Sequence, residues 1–412
     1  MRFTPLCIFF FAWTSFCRSS YINCGKSFFP CSDKSSNVDL GFPGKVANRK
    51  KAFPKMSIPE SILRLAAEEA RFEVNMHFIH PNISRLETSS QISPALKQYA
   101  YMHKIDQRAK QLSYSAYISA AMSQRLRMFG SRDGEFRVDI PTEVLQETPV
   151  GDICPLLSST TCEAKKYRSH SGFCNNVAHP VWGAAYEPLQ RMMKPNYRDG
   201  VMTIRQSKSD LPLPNPRQIS LTLFSRPLTP HRSVTLFFAY WAQFIFKDIS
   251  FIASTQSMKN GIPRVMPCCQ GNFHDSECNN IDISPLDPFY HGWVVCIPST
   301  RTIIAPKEYC QLGPRDQANQ VSSFLDASPI YGSTSQRAEA LRTFHNGRLL
   351  TLSDSSKSDL LPRDPLSDEY CQTPNGCFLS GTNDVNLLPG ITVLHTVLVR
   401  EHNHIANILQ VS

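Results

Sequence analysis

Cysteine is the residue that most limits how this chain can fold. The 412 residues include 14 cysteines, a content typical of oxidising compartments, where cysteines pair into disulfides. Five of them lie between Pro263 and Pro314, a segment that is also rich in proline. We therefore expect this segment to consist of ordered loops held by disulfides rather than of long regular elements.

The first residues of the chain fit the same compartment. A basic residue, Arg2, precedes the apolar run Leu6–Phe16, and small and polar residues follow it. This is the layout of a secretory signal peptide, since about 11 apolar residues are too few to cross a bilayer. Residues 1–20 are thus predicted to be a signal peptide, whose removal takes away Cys7 and Cys17 and leaves 12 cysteines in a secreted protein. A buried amino-terminal helix is the alternative.

The composition is ordinary for a globular protein and excludes some partners. Hydrophobic residues make up 42% of the chain and charged residues 19%. The net charge of +9 comes from scattered residues, apart from a short basic cluster at Asn48–Lys51, so we expect no nucleic-acid partner. The second apolar stretch, Ser233–Phe246, is too short to span a membrane and predicts a buried helix.

Periodicity divides the rest of the chain into a leader and a helical body. Residues 21–57 are typical of a leader or propeptide, and residues 58–150 predict a helical extension with Ser57 as a possible cap. Five prolines between Pro212 and Pro230 predict a long irregular loop. Asn82 begins a glycosylation sequon. Further helices are expected over 96–128, 333–343 and 388–408, the last with a stripe of Ile391, Leu394, Leu398 and Ile405.

Several segments, taken in order, resemble the motifs of one protein family. They are Tyr167–Asn176 (YRSHSGFCNN), Trp182–Ala185, Tyr197–Gly200, Leu213–Arg217 (LPNPR), Gly313–Ser333 and His395–Asn403. Together they resemble the animal haem peroxidases, and the adjacent Cys268 and Cys269 are most similar to those of the peroxidasin and chorion-type members. The resemblance implies a mainly α fold with long disulfide-held loops. It implies that residues 151–412 are an incomplete, carboxy-terminally truncated peroxidase domain.

The resemblance also identifies the positions where the family carries its distal haem chemistry. In the family helix W-x-Q-F-x-D-H-D, an Asp forms an ester to haem, the next His is the catalytic base, and the last Asp binds calcium. This chain has Phe246 at the ester position, Lys247 at the position of the distal His, and Asp248 at the calcium position. A lysine, with a pKa of about 10.4, is a poor base at neutral pH.

A second family motif, C-F-x-A-G-D-x-R-x-x-E, carries the catalytic Arg and the Glu of the other haem ester. Here Asp384 stands at the Arg position and Leu387 at the Glu position. The charge that would stabilise the leaving oxygen is therefore reversed. The family's proximal His lies in a later helix, and His395, His402 and His404 correspond to packing residues. We expect no intact haem-binding or catalytic residue, although the family cofactor is haem b.

A calcium site is the one site that the resemblance predicts as preserved. Its ligands would be Asp248 with four residues of one loop: Ser322, Phe324, Asp326 and Ser328. Hydroxyl, carbonyl and carboxylate oxygens are the donors that Ca²⁺ prefers. The alternative is an Asp that hydrogen-bonds within its own turn beside ordinary serines.

Cysteine pairing is also implied by the resemblance. The implied pairs are Cys162 with Cys174, Cys268 with Cys278, Cys269 with Cys296, and Cys371 with Cys377. Cys24, Cys31, Cys154 and Cys310 remain without an assigned partner.

Three functional hypotheses follow. The first is a secreted homologue of the haem peroxidases that is catalytically inactive, as a pseudoenzyme or as a truncated product. The second is a working peroxidase, acting on hydrogen peroxide, whose altered pocket is completed by sequence beyond Ser412. The third is an extracellular interaction module that binds matrix or another protein.

Overall fold

Helices dominate the computed structural model of the protein, and the few strands are short. The structure describes residues 58–78, 94–130, 162–225, 229–259, 262–271, 273–290, 292–307, 311–353, 359–365 and 376–411, together with 148, 151 and 371. The predicted signal peptide, the leader, Ser57, Asn82 and the four unassigned cysteines lie outside these residues. None of the described helices is long and apolar enough to cross a membrane.

Eight α-helices and eight short strands are described. The helices are α1 (Glu60–Phe78), α2 (Pro94–Met102), α3 (Gln107–Gly130), α4 (Pro216–Leu223), α5 (Leu236–Ile249), α6 (Ser328–Tyr331), α7 (Ser335–Ala340) and α8 (Pro389–Val411), with a 3₁₀ turn at Asn383–Asn386. The strands are β1 (Ser257–Lys259), β2 (Ile262–Arg264), β3 (Ile281–Asp282), β4 (Cys296–Ile297), β5 (Ile304–Ala305), β6 (Asp316–Gln317), β7 (Leu352–Ser353) and β8 (Asp359–Leu360). Each strand pairs antiparallel with its neighbour in sequence, which makes four two-stranded ribbons.

Helices α1 and α3 pack closely because small residues line their contact. Alanine is the commonest residue buried at this contact, and Ile118, Met122 and Leu126 are among the larger side chains that fill the remaining space. Buried serines of α3 satisfy their hydroxyls within the helix, since Ser119 donates to the Ser115 carbonyl at 3.1 Å and Ser123 to the Ser119 carbonyl at 2.6 Å. Because its buried hydroxyls are satisfied within the helix, α3 can be buried although it lacks a broad apolar stripe.

A second core lies where α5, α6 and α8 meet. Phe244 of α5, Ile330 of α6 and Leu394 of α8 are buried there together with Val385 of the 3₁₀ turn. The predicted stripe on α8 is correct for Ile391 and Leu394, which are buried, and wrong for its last residue, since Ile405 is exposed. The helix continues beyond the part of the core that it covers.

The loops between Pro263 and Pro314 are cross-linked as the cysteine content predicts. Cys268 is bonded to Cys278, and Cys269 to Cys296. Two further disulfides join Cys162 to Cys174 and Cys371 to Cys377. Such cross-links restrict the unfolded chain and so stabilise a segment that has little regular structure.

Two expectations about the centre of the chain are wrong. The proline-rich segment contains α4, because the Asn215 side chain caps its first turn and accepts hydrogen bonds from the backbone of Arg217 and Gln218, while Pro216 suits a first helical position. Helix α5 is predicted to be buried, yet only Phe244, Lys247 and Asp248 are buried along it. Its apolar first turn lies at the surface.

Candidate functional site

Two neighbouring residues near the end of α5, Lys247 and Asp248, belong to two different polar clusters. Phe244 is buried in the core on the same side of the helix, three and four residues before them. Phe246, the ester position, points away and is 54% exposed. Helical geometry therefore directs Lys247 and Asp248 inward and leaves Phe246 at the surface.

The first cluster, which we call the oxygen cluster, consists of Asp248, Ser322, Phe324, Asp326 and Ser328. The Asp248 Oδ1 atom accepts from the Ser328 backbone N–H at 2.7 Å. Asp326 Oδ1 accepts from the Ser328 hydroxyl at 2.6 Å, and Asp326 Oδ2 accepts from the Ser322 hydroxyl. The Phe324 carbonyl accepts from the Asp326 N–H at 3.0 Å. All five residues implied by the resemblance are thus joined in one network.

The backbone bends sharply within this cluster. Ala327 has a φ of 60° and so lies in the left-handed region, which is unfavourable for alanine. The bend lets Asp326 and Ser328, on either side of Ala327, face the same point. It also begins α6, whose buried residues hold the loop against the core.

The electrostatics of the oxygen cluster are those of two carboxylates that share a small space. Burial and the nearby Asp326 carboxylate raise the pKa of Asp248 to about 6, against the lowering effect of backbone hydrogen bonds. No ion pair within the described chain supplies a positive charge to either carboxylate, and no group of three or more acidic, His or Cys side chains is assembled there. The pair would be stabilised by a proton or a cation.

The second cluster, which we call the haem-position cluster, contains Lys247, Asp384 and His395. The Lys247 ammonium lies 4.9 Å from the centre of the Phe251 ring, a cation–π distance. The pKa of Lys247 is lowered overall: burial lowers it, and attraction to Asp384 opposes part of this change. Lys247 is 9% exposed and Asp384 is 3% exposed.

Asp384 is held in place by a turn that the surrounding polar residues fix. The Thr382 hydroxyl donates to Asp384 Oδ1. Asn386 brackets Phe378, accepting from its N–H at 2.8 Å and donating to its carbonyl at 2.8 Å. Asp384 Oδ2 is buried and has no hydrogen-bond partner among the described residues. Leu387 ends the turn as its C-cap and cannot form an ester.

The histidines of α8 have structural surroundings. His395 is fully buried, its Nδ1 lies 2.9 Å from the Ser380 hydroxyl, and its Nε2 has no described partner. Burial lowers the pKa of His395 to about 4, although Asp384 opposes this. His402 uses both ring nitrogens, with the Tyr331 hydroxyl at 2.9 Å and the Gly347 carbonyl at 3.0 Å. His404 is exposed.

These residues do not fit haem in the way the resemblance implies. An ester would need carboxylates where Phe246 and Leu387 stand. A peroxidase pocket would need a neutral imidazole and a guanidinium, whereas the structure has a buried amine at Lys247 and a buried carboxylate at Asp384. The chemistry of the donor set therefore differs from that of a haem peroxidase on the distal side.

Sequence reasoning missed residues that complete the haem-position cluster. His103 stacks on Tyr99, with ring centres 4.2 Å apart, and lies 6.4 Å from the Phe251 ring. Arg337 donates to the Ser380 carbonyl and to Asn383 Oδ1, both at 2.7 Å. Neither residue lies within the two distal motifs, so no local pattern marks them.

Comparisons with known proteins agree with the motifs. Among solved structures, the chain is similar to peroxidase A from Dictyostelium discoideum, with a TM-score of 0.46, 20% identity, and coverage of 59% of this chain and 46% of that one. It is 34% identical over 280 residues to chorion peroxidase of Drosophila melanogaster, covering 64% of this chain and 34% of that protein. It is 32% identical over 275 residues to the peroxidasin homolog of Mus musculus, covering 60% of this chain and 18% of that protein.

The chain thus spans about a third of the length of the first of these two relatives and about a fifth of the length of the second. The family model of animal haem peroxidase matches residues 167–412. That range includes the oxygen cluster, the residues Lys247, Asp384 and His395, and the helices α4 to α8. The resemblance inferred from the motifs is confirmed, and the chain belongs to the animal haem peroxidase family.

Proposed function

We propose that this chain is a secreted member of the animal haem peroxidase family that does not turn over peroxide and that serves as a calcium-stabilised scaffold. The observation that carries the proposal is the pair of buried side chains at the distal positions, Lys247 and Asp384. A buried amine stands where peroxide cleavage requires a neutral base, and a buried carboxylate stands where it requires a cation.

Peroxide cleavage requires a base that removes a proton from one oxygen and a cation near the other. Burial lowers the pKa of Lys247, and attraction to Asp384 opposes part of this change by favouring the protonated form. A protonated amine has no lone pair to accept that proton. Asp384 would in turn repel the negative charge that develops on the leaving oxygen. Both effects raise the barrier, so an inactive distal side is the expected result.

Calcium enters the proposal through the oxygen cluster. Asp248 and Asp326 supply two carboxylates, Ser322 and Ser328 two hydroxyls, and Phe324 a carbonyl, which are the hard donors that suit Ca²⁺. Burial and, after it, repulsion by Asp326 raise the pKa of Asp248, and a bound cation would offset both. Its role would be structural, since it would tie α5 to the loop that precedes α6.

Secretion is supported by the four disulfides of the described residues and by the predicted signal peptide. Extracellular fluids hold enough calcium to occupy sites of modest affinity. The proposed compartment and the proposed metal are therefore consistent with each other.

The test is peroxidase activity of the full chain, secreted from a eukaryotic host and supplied with hemin, guaiacol and hydrogen peroxide. We expect turnover no higher than that of free hemin, for the wild type and for Lys247→Ala alike. The variant with both Lys247→His and Asp384→Arg shows whether the scaffold can regain activity. Wild-type turnover above free hemin that Lys247→Ala abolishes would overturn the proposal in favour of an active enzyme with an altered pocket.

An extracellular interaction module is a second candidate, favoured by one exposed loop. Leu286 and Trp293 are 90% and 91% exposed, and hydrogen bonds fix the turn that begins at Asp287. Asp287 accepts from the backbone of Phe289 and Tyr290 at 2.9 and 3.0 Å and pairs with Arg217 at 2.7 Å. Rigid aromatic side chains of this kind are enriched in protein interfaces.

Binding of the purified chain to isolated matrix proteins tests this candidate. Trp293→Ala should weaken binding at least tenfold without a change in Tm, because the indole contacts little of its own fold. Trp182→Ala is the matched control, since Trp182 is also exposed but belongs to another loop. Equal binding by both variants would exclude this loop as the contact.

A further inference from the structure

A loop early in the matched domain packs against the oxygen cluster and supplies none of its five residues. This loop, residues 168–185, is called the support loop below. Hydrogen bonds join its two halves, since the Cys174 N–H donates to the Pro180 carbonyl at 3.0 Å and the Ala185 N–H donates to the Ser171 carbonyl at 2.7 Å. The support loop is therefore an ordered surface against which other residues can be placed.

Two glycines of the support loop lie directly against residues of the oxygen cluster. Gly183 has a φ of 76°, and a methyl group added to it would lie 2.9 Å from Cε2 of the Phe324 ring, which is closer than van der Waals contact allows. Gly172 has a φ of 78°, and a methyl group added to it would lie 3.1 Å from Cβ of Ser322. Glycine suits both positions because it adopts positive φ freely and lets a neighbour approach the backbone. The support loop thus seats two of the five predicted ligands.

Two further contacts join the support loop to the same stretch of chain. The Ser323 N–H donates to the Gly183 carbonyl at 2.9 Å. The guanidinium carbon of Arg168 lies 5.3 Å from the centre of the Phe324 ring, a cation–π distance. On the other side, the Phe324 carbonyl accepts from the Asp326 N–H at 3.0 Å. Phe324 is therefore fixed through its ring, through the backbone before it and through its own carbonyl.

We propose that Arg168 and Gly183 are positioning residues for the calcium site: by holding the Phe324 ring, they fix where the Phe324 carbonyl presents its oxygen to the cation. This role rests on the proposed function, because it needs the oxygen cluster to bind calcium. It deepens that function by assigning the support of one ligand to a loop outside the ligand set. Residues that hold metal ligands in place typically change metal affinity by about 10- to 100-fold when they are mutated.

Gly183→Ala in the full secreted chain is the main test. The added methyl group should displace the Phe324 ring and raise the Kd for calcium about tenfold, measured by isothermal titration calorimetry. Gly292→Ala is the matched control, since Gly292 has a φ of 77° and the nearest atom to its added methyl group is the Pro285 carbonyl oxygen at 3.8 Å. The control should lower Tm through the same backbone strain and leave the calcium Kd unchanged. A calcium Kd that Gly183→Ala does not change would overturn the role of Gly183.

Removing the ring distinguishes displacement of Phe324 from general damage to the loop. Phe324→Leu takes away the ring atoms that the new methyl group would meet and keeps the backbone carbonyl. Gly183→Ala should therefore raise the calcium Kd much less in the Phe324→Leu background than in the wild type. Equal losses in both backgrounds would assign the effect to backbone strain and overturn the positioning of Phe324.

Terbium bound in place of calcium gives a spectroscopic readout that a loss of stability would not move. Its luminescence lifetimes in H₂O and D₂O count the water molecules on the ion. Gly183→Ala should admit an additional water, because the displaced Phe324 carbonyl leaves a ligand position open, whereas Gly292→Ala should not. The same number of waters in wild type and Gly183→Ala would contradict a displaced carbonyl.

Arg168→Gln tests the cation over the ring without changing the backbone. A cation–π contact of an exposed residue corresponds to a change in Kd of about two- to fivefold, and Arg168→Lys should restore most of it because it keeps the cation. Arg342→Gln is the matched control, since Arg342 lies 5.5 Å from the centre of the Phe344 ring and belongs to a segment that contributes nothing to the oxygen cluster. If Gly183→Ala is not secreted, the comparison of Arg168→Gln with Arg168→Lys still decides the proposal. An equal calcium Kd in the two variants and the wild type would overturn the role of Arg168.

Calcium binding by the wild type separates this proposal from the proposed function. If the wild type binds no calcium, the calcium-stabilised scaffold and the positioning role both fail. If the wild type binds calcium and neither Gly183→Ala nor Arg168→Gln changes the Kd, the positioning role alone fails. Guaiacol turnover with hemin would refute the proposed inactivity alone, since the calcium titrations are made without hemin.

Discussion

The oxygen cluster and the haem-position cluster begin at adjacent residues of α5, yet they differ in how much of the family's chemistry they keep. On the Asp248 side, the residue types that the family resemblance implies are present and meet in one hydrogen-bond network. On the Lys247 side, residue types have changed at Phe246, Lys247, Asp384 and Leu387. The oxygen donors proposed to hold a cation are thus together on one side, whereas on the other side the residue types that the resemblance implies for peroxide chemistry are replaced.

The difference shows that the hydrogen bonds that support the backbone of a site and the side chains that would react there are supplied by different residues in this fold. Around Asp384, the side chains of Ser380, Asn383 and Asn386 hydrogen-bond to backbone carbonyls or N–H groups. None of these three bonds involves the side chain at position 384. The turn can therefore present a carboxylate where the family presents a guanidinium.

Removing calcium should produce the largest effect, and it acts on the oxygen cluster alone. With calcium well above its Kd, chelation should cost about 3–4 kcal/mol of unfolding free energy and lower Tm by about 10 °C. Asp248→Asn should lower Tm in calcium but leave it equal to or above that of the wild type in chelator, because the repulsion with Asp326 is gone. Thermal unfolding with and without EGTA measures both shifts.

Asp282→Asn is the matched control, since this exposed carboxylate lies outside the oxygen cluster. It should show the same chelation shift as the wild type. A wild-type Tm that does not respond to EGTA would show that Asp326 only caps its own turn, and the contrast between the two clusters would disappear.

Acid should act on the haem-position cluster through His395. Burial depresses its pKa to about 4, so the folded histidine stays neutral where the unfolded one, with a pKa of 6.5, gains a proton. The resulting stability is complete above pH 6.5 and is lost as the pH falls towards 4, by about 3 kcal/mol. His395→Gln should flatten this part of the pH profile of unfolding by urea, compared with the wild type in saturating calcium.

Asp384 faces His395 and opposes this shift, so the variant with both His395→Gln and Asp384→Asn separates their contributions. Parallel profiles for the wild type and His395→Gln between pH 7.5 and 4.5 would contradict the assignment of this acid sensitivity to His395.

Much of the fold follows from local sequence patterns, and the failures have identifiable causes. Periodicity predicts α1 and α8 because their apolar residues recur at helical spacing and meet a core. The helical stretches expected over 96–128 are α2 and α3. Helix α4 is missed because proline normally breaks helices, whereas Pro216 after the capping Asn215 begins one. The exposure of the first turn of α5 could not be predicted, because burial depends on which distant elements reach the helix.

The candidate site divides in the same way. The motifs locate Lys247, Asp248 and Asp384, since each occupies a fixed place in a recognisable pattern. His103 could not be found, because it reaches the cluster through the packing of α2 against the 3₁₀ turn and through the neighbouring Phe251 ring. Nor could sequence show that the ring nitrogens of His402 are occupied by Tyr331 and Gly347.

A smaller effect is expected when the hydroxyl that supports Asp384 is removed. Thr382→Val leaves Asp384 Oδ1 without its donor in a buried place and should cost about 1–3 kcal/mol. The Kd for calcium should stay within twofold of the wild type, because the oxygen cluster does not include this residue. Thermal unfolding and a calcium titration measure the two quantities, and a calcium affinity that falls with stability would show that the clusters are coupled.

The smallest effect should come from the bend at Ala327, on the calcium side. Its φ of 60° is unfavourable for alanine, so Ala327→Gly should relieve strain and change the unfolding free energy by about 1 kcal/mol, favourably in the folded state. The greater freedom of glycine in the unfolded chain offsets part of this gain. If calcium holds the bend, the gain should be larger in EGTA than in calcium, because the metal already fixes the loop when it is bound. Thermal unfolding of Ala327→Gly and wild type in the two conditions measures the difference. A gain that is equal in both would mean that the bend is set by the packing of α6 against the core alone, and that the oxygen cluster is preformed before any cation arrives.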